Sequence, residues 1–447
     1  MLLDLNAYSW PVFKKEINKL AVLALPMLVA QVAQVGIGFV DTVMAGGAGK
    51  ADEVGETGRQ GIWFGVMLGI IGMLLMWLLV WPFQAWLSLS DKVENMMALY
   101  MFFTGLAMPA AMVHRALHAY ASSLNRPRVI MIVSFLAFLL NIPLNYAFVY
   151  GKFGMPALGG AGCGVATAVV FWFNALVLWL YVAKQQYFRK FKLMDKFSKP
   201  DGRAFKQIWK LGMPIGLSFF LEVSLFSCIV FLVARLGEDY VAAQQVVISL
   251  TGVIYMIPQS VGAAGTVRVG YSLGRGEYVR ARYVAGVSLV LGLLLAVLTA
   301  LLLVLFRHPL AGMYTDDAGV LAIAATVLLF AAVFQLADAA QVIASGALRG
   351  YKITTAPMLI HTLSFWGIGL GLGLWLGLGQ GTLPLGYGTR PLGAAGFWWA
   401  LTLSLVLAAV LLVALLAKES RRGVRRQILL AEGGARGELA TLRRGKP

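Results

Sequence analysis

Charge is scarce in this chain, and negative charge scarcest. Asp and Glu number 20 against 37 Lys and Arg, and charged residues fill only 13% of 447 positions, where an average soluble domain carries roughly a quarter. That shortage excludes an ordinary soluble fold. Cys163 and Cys228 are the whole cysteine complement, too few and too scattered for a disulfide framework or a zinc site. Both lie within apolar runs and read as packing residues. His114 and His118 stand one turn apart in HRALH, but no carboxylate or thiol motif beside them makes a metal site. No HExxH, Ser/Lys dyad or nucleotide loop occurs, so neither an enzyme nor a bound cofactor is expected. The repeated filter sequence of a channel is absent as well.

What is abundant is apolar surface. Hydrophobic residues make up 60% of the chain, enough to place its bulk in lipid. The first apolar run, about 18–45, is far longer than a signal-peptide core and is expected to span the membrane uncleaved. A net charge of +17 would suit a nucleic-acid partner, but its distribution argues otherwise. Nine Lys and Arg lie in 184–210 and nine more in 418–447, both flanking apolar runs, as positive-inside loops do. No nucleic acid is expected. The tail reads as a loose cytoplasmic extension touching anionic lipid.

Apolar runs long enough to span are roughly 18–45, 61–87, 94–122, 127–150, 161–184, 207–235, 239–272, 281–306, 317–348, 354–378 and 391–417. Two stretches begin alike: LALPMLVAQVAQVGIGFVDTVMAGG at 23–47 and LGMPIGLSFFLEVSLFSCIVFLVARLG at 211–237. Duplicated membrane halves point to a transporter. Pro26 aligns with Pro214, whereas ASSLNRPRVI at 121–130 aligns with ASGALRGYKI at 344–353. The offset grows between the two pairs by about 35 residues, one spanning helix with its loop. Because Arg59 already pairs with Arg282 at the larger offset, the gap lies between Ala45 and Arg59. Parity agrees. Lys14, Lys15 and Lys19 favour a cytoplasmic start and the basic 184–210 loop favours the same side, yet five crossings cannot return a chain to its starting face. Locally, GAGK running into ADEVGETGRQ reads as a Gly-and-charge linker at the far end of a loop.

Charged groups in mid-membrane are costly and usually face a pathway or a partner. Glu222 sits midway along the 207–235 run, with Ser218 and Phe226 one turn to either side, and Asp338 sits midway along 317–348 in a polar stripe with Gln335, Gln341 and Ser345. The 239–272 run adds Gln245 and Ser249 on one face and Thr251, Tyr255 and Gln259 on another. All offer oxygen, the ligand hard cations prefer. A carboxylate withdrawn from water also takes up a proton more readily, so the constellation suits Na+ or H+. The plain structural alternative is that each acid completes a hydrogen bond between helices. Asp41 lies near the end of its run, where water is close. Across the repeat, Glu222 pairs with Gln34 and Asp338 with Arg115, so the mid-membrane acids belong to the second half alone. Arg115 is expected to pair with Asp41 or to line a cavity.

The runs MPAAMVHRALHAYASSLNRPRVIM, LNIPLNYAFVYGKFGMPALGGAGCGVATA, MPIGLSFFLEVSLFS, VAAQQVVISLTGVIYMIPQSVG and AAGTVRVGYSLGRGE, with the 23–47 stretch, resemble the NorM branch of the multidrug and toxic compound extrusion transporters over nearly all of the chain to about residue 417. The resemblance implies an all-α polytopic fold of two six-helix bundles, here about five plus six because the second helix is missing. It implies cation-coupled export of small cationic amphipathic drugs through a central cavity. It further implies Glu222, Asp338 and Tyr255 as the cation-coupling set, and Asp41, Glu222, Phe226 and Asp338 as drug-binding residues, to which the polar face of the 239–272 run adds Gln245 and Ser249.

The expected organisation is an N-terminal bundle at 11–184, a basic cytoplasmic linker at 185–206, a C-terminal bundle at 207–417 and a basic cytoplasmic tail at 418–447. A monomer in the bacterial inner membrane is expected, with its C-terminus in the cytoplasm. Two alternatives stay open: an inactive deletion variant of such a transporter, or a lipid-linked precursor flippase with the same doubled bundle.

Overall fold

The computed structural model describes residues 51–87, 91–124, 127–189, 191, 193, 198–379 and 393–444. These residues form helices and connecting turns, with no strand among them. In chain order the long helices are α1 (Ala51–Leu87), α2 (Asp91–Ser123), α3 (Pro127–Tyr150), α4 (Gly160–Lys184), α5 (Gly202–Val233), α6 (Glu238–Gly274), α7 (Tyr278–Leu305) and α8 (Ala318–Gly350). Next comes α9, built of α-helical Thr355–His361, π-helical Thr362–Gly369 and α-helical Leu370–Leu378, and last α10 (Ala394–Arg444). Each contains a stretch long and apolar enough to cross a bilayer, ten such spans among the described residues. They match ten of the eleven apolar runs. The eleventh, 18–45, lies outside the described residues, as does Asp41.

Two local expectations are corrected. ADEVGETGRQ is the first part of α1 rather than a linker. Glu56 accepts from Arg59 at 2.7 Å and from Gln60 at 2.8 Å, pairs three and four residues apart that hold a helical turn together. The turn is also docked on the 198–201 segment. Gln60 donates to the Lys199 carbonyl and accepts from the Asp201 N–H, while Trp63 donates to the Ser198 carbonyl. The tail, in turn, is a continuation of α10 as far as Arg444 instead of a loose extension, since Ala, Leu, Glu and Arg are strong helix formers and Arg422 pairs with Glu419 at 2.7 Å.

The chain divides into two compact units, 1–220 and 221–447, with the boundary inside α5. In the first unit α3 packs on α4, and α2 packs on both α1 and α4. One core there joins Phe64 and Leu68 of α1, Ala111 and Met112 of α2 and Ile208 of α5. Another gathers Tyr120, Ile130, Val182 and Phe188.

In the second unit α8 is the central helix, packed against α6, α7 and α10. Its start is fixed by Asp317, whose carboxylate accepts from the Gly319 and Val320 N–H groups at 2.8 and 3.0 Å, a side-chain N-cap. α6 and α8 cross at small residues: a Cβ on Gly346 would lie 2.6 Å from the Gly262 carbonyl oxygen. Thr266 seals the crossing by donating to the Gly346 carbonyl at 2.7 Å. Close approach at small residues is how helices associate where lipid removes the hydrophobic drive between them. Large apolar side chains such as Leu294, Leu305, Val290 and Val253 stay exposed, the surface a lipid-facing helix presents.

Candidate functional site

Of the two mid-helix acids of the second unit, Asp338 is buried and Glu222 partly buried. Asp338 lies halfway along the most enclosed helix and keeps 2% of its surface exposed. Gln341, one turn on, donates to its Oδ1 at 3.1 Å. The other end of that carboxamide meets His361 Nε2 of α9 at 2.9 Å, and since a carboxamide oxygen only accepts, the ring nitrogen is the donor. Gln341 and His361 are buried like the acid. His361 stacks on Phe365 with centroids 5.2 Å apart and planes within 4°.

Glu222 projects from α5 into the same region, partly buried, where it feels the charges of Asp338 and Arg349. Tyr255 of α6 lies close enough to feel the charges of Glu222, Asp338 and Arg349. Three helices thus bring two carboxylates and a phenol into one electrostatic neighbourhood, with a guanidinium at its edge. Neither carboxylate forms an ion pair among the described residues, and Glu222 makes no hydrogen bond there. Carboxylate oxygens in a low-dielectric site that are not tied into a salt bridge are poised for a mobile cation.

Around the acids the packing is aromatic. Phe226 of α5 sits edge-on to Phe334 at 5.9 Å, and Phe334 edge-on to Trp398 at 5.5 Å. Trp398 donates to the buried Gln244 at 2.9 Å. These rings fix the spacing of α5, α6, α8 and α10.

Of the sequence-derived candidates, the structure brings Glu222, Asp338 and Tyr255 together and sets Phe226 against the adjoining core. Gln245 and Ser249 lie apart from them: Gln245 is exposed, and ten residues of helix separate it from Tyr255, about 15 Å. The Ser249 hydroxyl donates to the Gln245 carbonyl at 2.8 Å. Arg115, on α2 of the first unit, is half-buried without an ion pair among the described residues. The rings of His114 and His118 stand 6.2 Å apart, and the described residues hold no cluster of metal ligands. Sequence reasoning passed over His361 and Arg349. His361 is the one histidine within the apolar runs of the second half, and its bond to Gln341 joins residues far apart in sequence; Arg349 falls just past the end of the 317–348 run.

The MatE family model matches residues 44–147 and 214–375. Among curated proteins, a probable multidrug resistance protein NorM of Neisseria meningitidis serogroup B is 62% identical over 464 positions, covering 95% of this chain and 99% of the relative. The multidrug resistance protein NorM of Vibrio cholerae is 38% identical over 446 positions, covering 90% and 95%. Among solved structures, the MATE transporter NorM-NG in complex with a monobody is 57% identical and superposes with a TM-score of 0.71, covering 90% of this chain and 94% of that one. The Neisseria alignment is longer than this chain although only 95% of the chain takes part. Part of that relative therefore has no counterpart here.

Proposed function

We propose that this chain, which belongs to the MatE family, is a cation-coupled multidrug efflux antiporter working by alternating access, with Glu222 and Asp338 as the groups that exchange a coupling cation for a cationic drug. The observation that carries this reading is a buried Asp338 and a partly buried Glu222 in one electrostatic neighbourhood, with no basic side chain in salt-bridge contact among the described residues. One positive guest, Na+ or H+, must leave before another enters, because both compete for the same negative charge. Tyr255 supplies a further oxygen and an aromatic face for a cation. Phe226 borders the site as an apolar wall for an amphipathic drug.

The substrates under this reading are small cationic amphipathic compounds, a class consistent with the multidrug resistance for which the relatives are named. The chain works as a monomer in the inner membrane of a bacterium, with its basic tail cytoplasmic and in touch with anionic lipid. A second reading is favoured by the unmatched part of the Neisseria alignment: the first half lacks a helix, so the chain binds its cation through the second unit without completing transport. Cation-driven ethidium efflux from cells expressing the chain separates the two. An active chain exports the dye, and Glu222→Gln lowers the rate by about tenfold or more, the loss of one strong charge contact. Efflux unchanged in Glu222→Gln removes that residue's assigned role.

A further inference from the structure

The middle of α9 is not α-helical. Thr362–Gly369 is a π-helix, closed by the Leu370 N–H donating to the Phe365 carbonyl five residues back. Such stretches are rare and recur at functional sites. Five-residue bonding places residues five apart on one side of the helix, as the α-helix does for residues four apart. His361 and Trp366 are five apart. In a regular α-helix they would diverge by about 140°. Here both grip neighbours that carry the acids. His361 holds Gln341, which holds Asp338 of α8. Trp366 donates its indole N–H to the Leu221 carbonyl of α5 at 3.1 Å, one residue before Glu222. The same stretch keeps two buried polar atoms, His361 Nδ1 and Ser364 Oγ, without a partner. That expense is unusual in a helix that only fills space.

Resting on the reading of Glu222 and Asp338 as the cation-exchanging pair, we infer that the π-helical stretch of α9 positions that pair: His361 presents Asp338 through Gln341, Trp366 fixes α5 beside Glu222, and the two carboxylates are thereby held within reach of one cation. The Nε2–H of His361 fixes which way the Gln341 carboxamide points. Its NH2 is turned toward Asp338, occupying one carboxylate oxygen and leaving the other for the cation. Without the imidazole the carboxamide is free to turn its oxygen toward the acid, where two acceptors repel. Trp366 acts on the second carboxylate through the backbone, so His361 and Trp366 are positioning residues.

The test is cation binding by the purified full-length protein in detergent, measured by calorimetry with Na+ at fixed pH and by proton uptake across a pH titration, so that either cation is detected. His361→Leu is expected to weaken binding about tenfold, the value of one lost buried hydrogen bond. His361→Gln, which keeps an N–H donor, is expected to restore most of it, and Trp366→Phe, which keeps a ring and loses the donor, to weaken binding several-fold. A melting temperature shared by Trp366→Phe and wild type shows that the loss is one of positioning. Binding that His361→Leu and Trp366→Phe leave unchanged while Glu222→Gln abolishes it overturns this inference alone. Equal loss in His361→Leu and His361→Gln overturns the hydrogen-bond role. If wild type and Glu222→Gln behave alike, the underlying reading of the acids falls, and this inference with it.

Discussion

Asp338 shows what the proposed exchange demands of a single residue. A carboxylate at 2% exposure receives a hydrogen bond from Gln341 and no salt bridge among the described residues, so its solvation is only partly replaced. Stability and activity should pull in opposite directions at this position. Asp338→Asn keeps the shape, removes the charge, and is expected to raise the melting temperature by a few degrees while abolishing cation binding; thermal scanning and calorimetry on the same sample check both. Glu222, Asp338 and Tyr255 were legible in the sequence because acids are conspicuous in apolar runs and oxygen ligands cluster by helical spacing. His361 and Trp366 were not. An isolated imidazole or indole among apolar residues looks like packing, and only the fold shows that the π-helical spacing turns both toward acid-bearing neighbours.

At the scale of elements, hydropathy located the spans well, because each needs a long unbroken apolar stretch that few other constraints can mimic. Ends were harder. The helix α1 starts about ten residues before the apolar run at 61–87, in a segment whose charges suggested a loop. Of those charges, Glu56 and Arg59 pair within the helix and Arg59 also reaches Ser198, while Gln60 and Trp63 bind the 198–201 segment. Partners so distant in sequence leave no local signature. Gln60 is 3% exposed and serves three partners at once, so Gln60→Leu strands the Asp201 N–H and the Lys199 carbonyl. A loss of about 2 kcal/mol is expected, the cost of buried polar groups left unpaired. Thermal unfolding reads it directly, and an unchanged melting temperature would mean that the 198–201 segment does not brace α1.

For the whole molecule, the doubled sequence carried the architecture. Two copies of one helical pattern implied a transporter, and the shift in their offset exposed a missing segment that the unmatched part of the Neisseria alignment also requires. The copies are also asymmetric. Acids stand in the second half where Gln34 and Arg115 stand in the first, so the exchange proposed at Glu222 and Asp338 falls to residues 221–447. Cation binding should therefore survive in this chain whatever the gap does to transport. The most direct measurement is the affinity of the purified full-length protein for a fluorescent cationic dye, taken with and without Na+ and at two pH values. Exchange at the paired acids predicts that Na+ or added acid weakens dye binding about tenfold or more, and that the response disappears in the Glu222→Gln, Asp338→Asn double variant. Dye binding indifferent to both cations, or a response that persists without the two carboxylates, would contradict it.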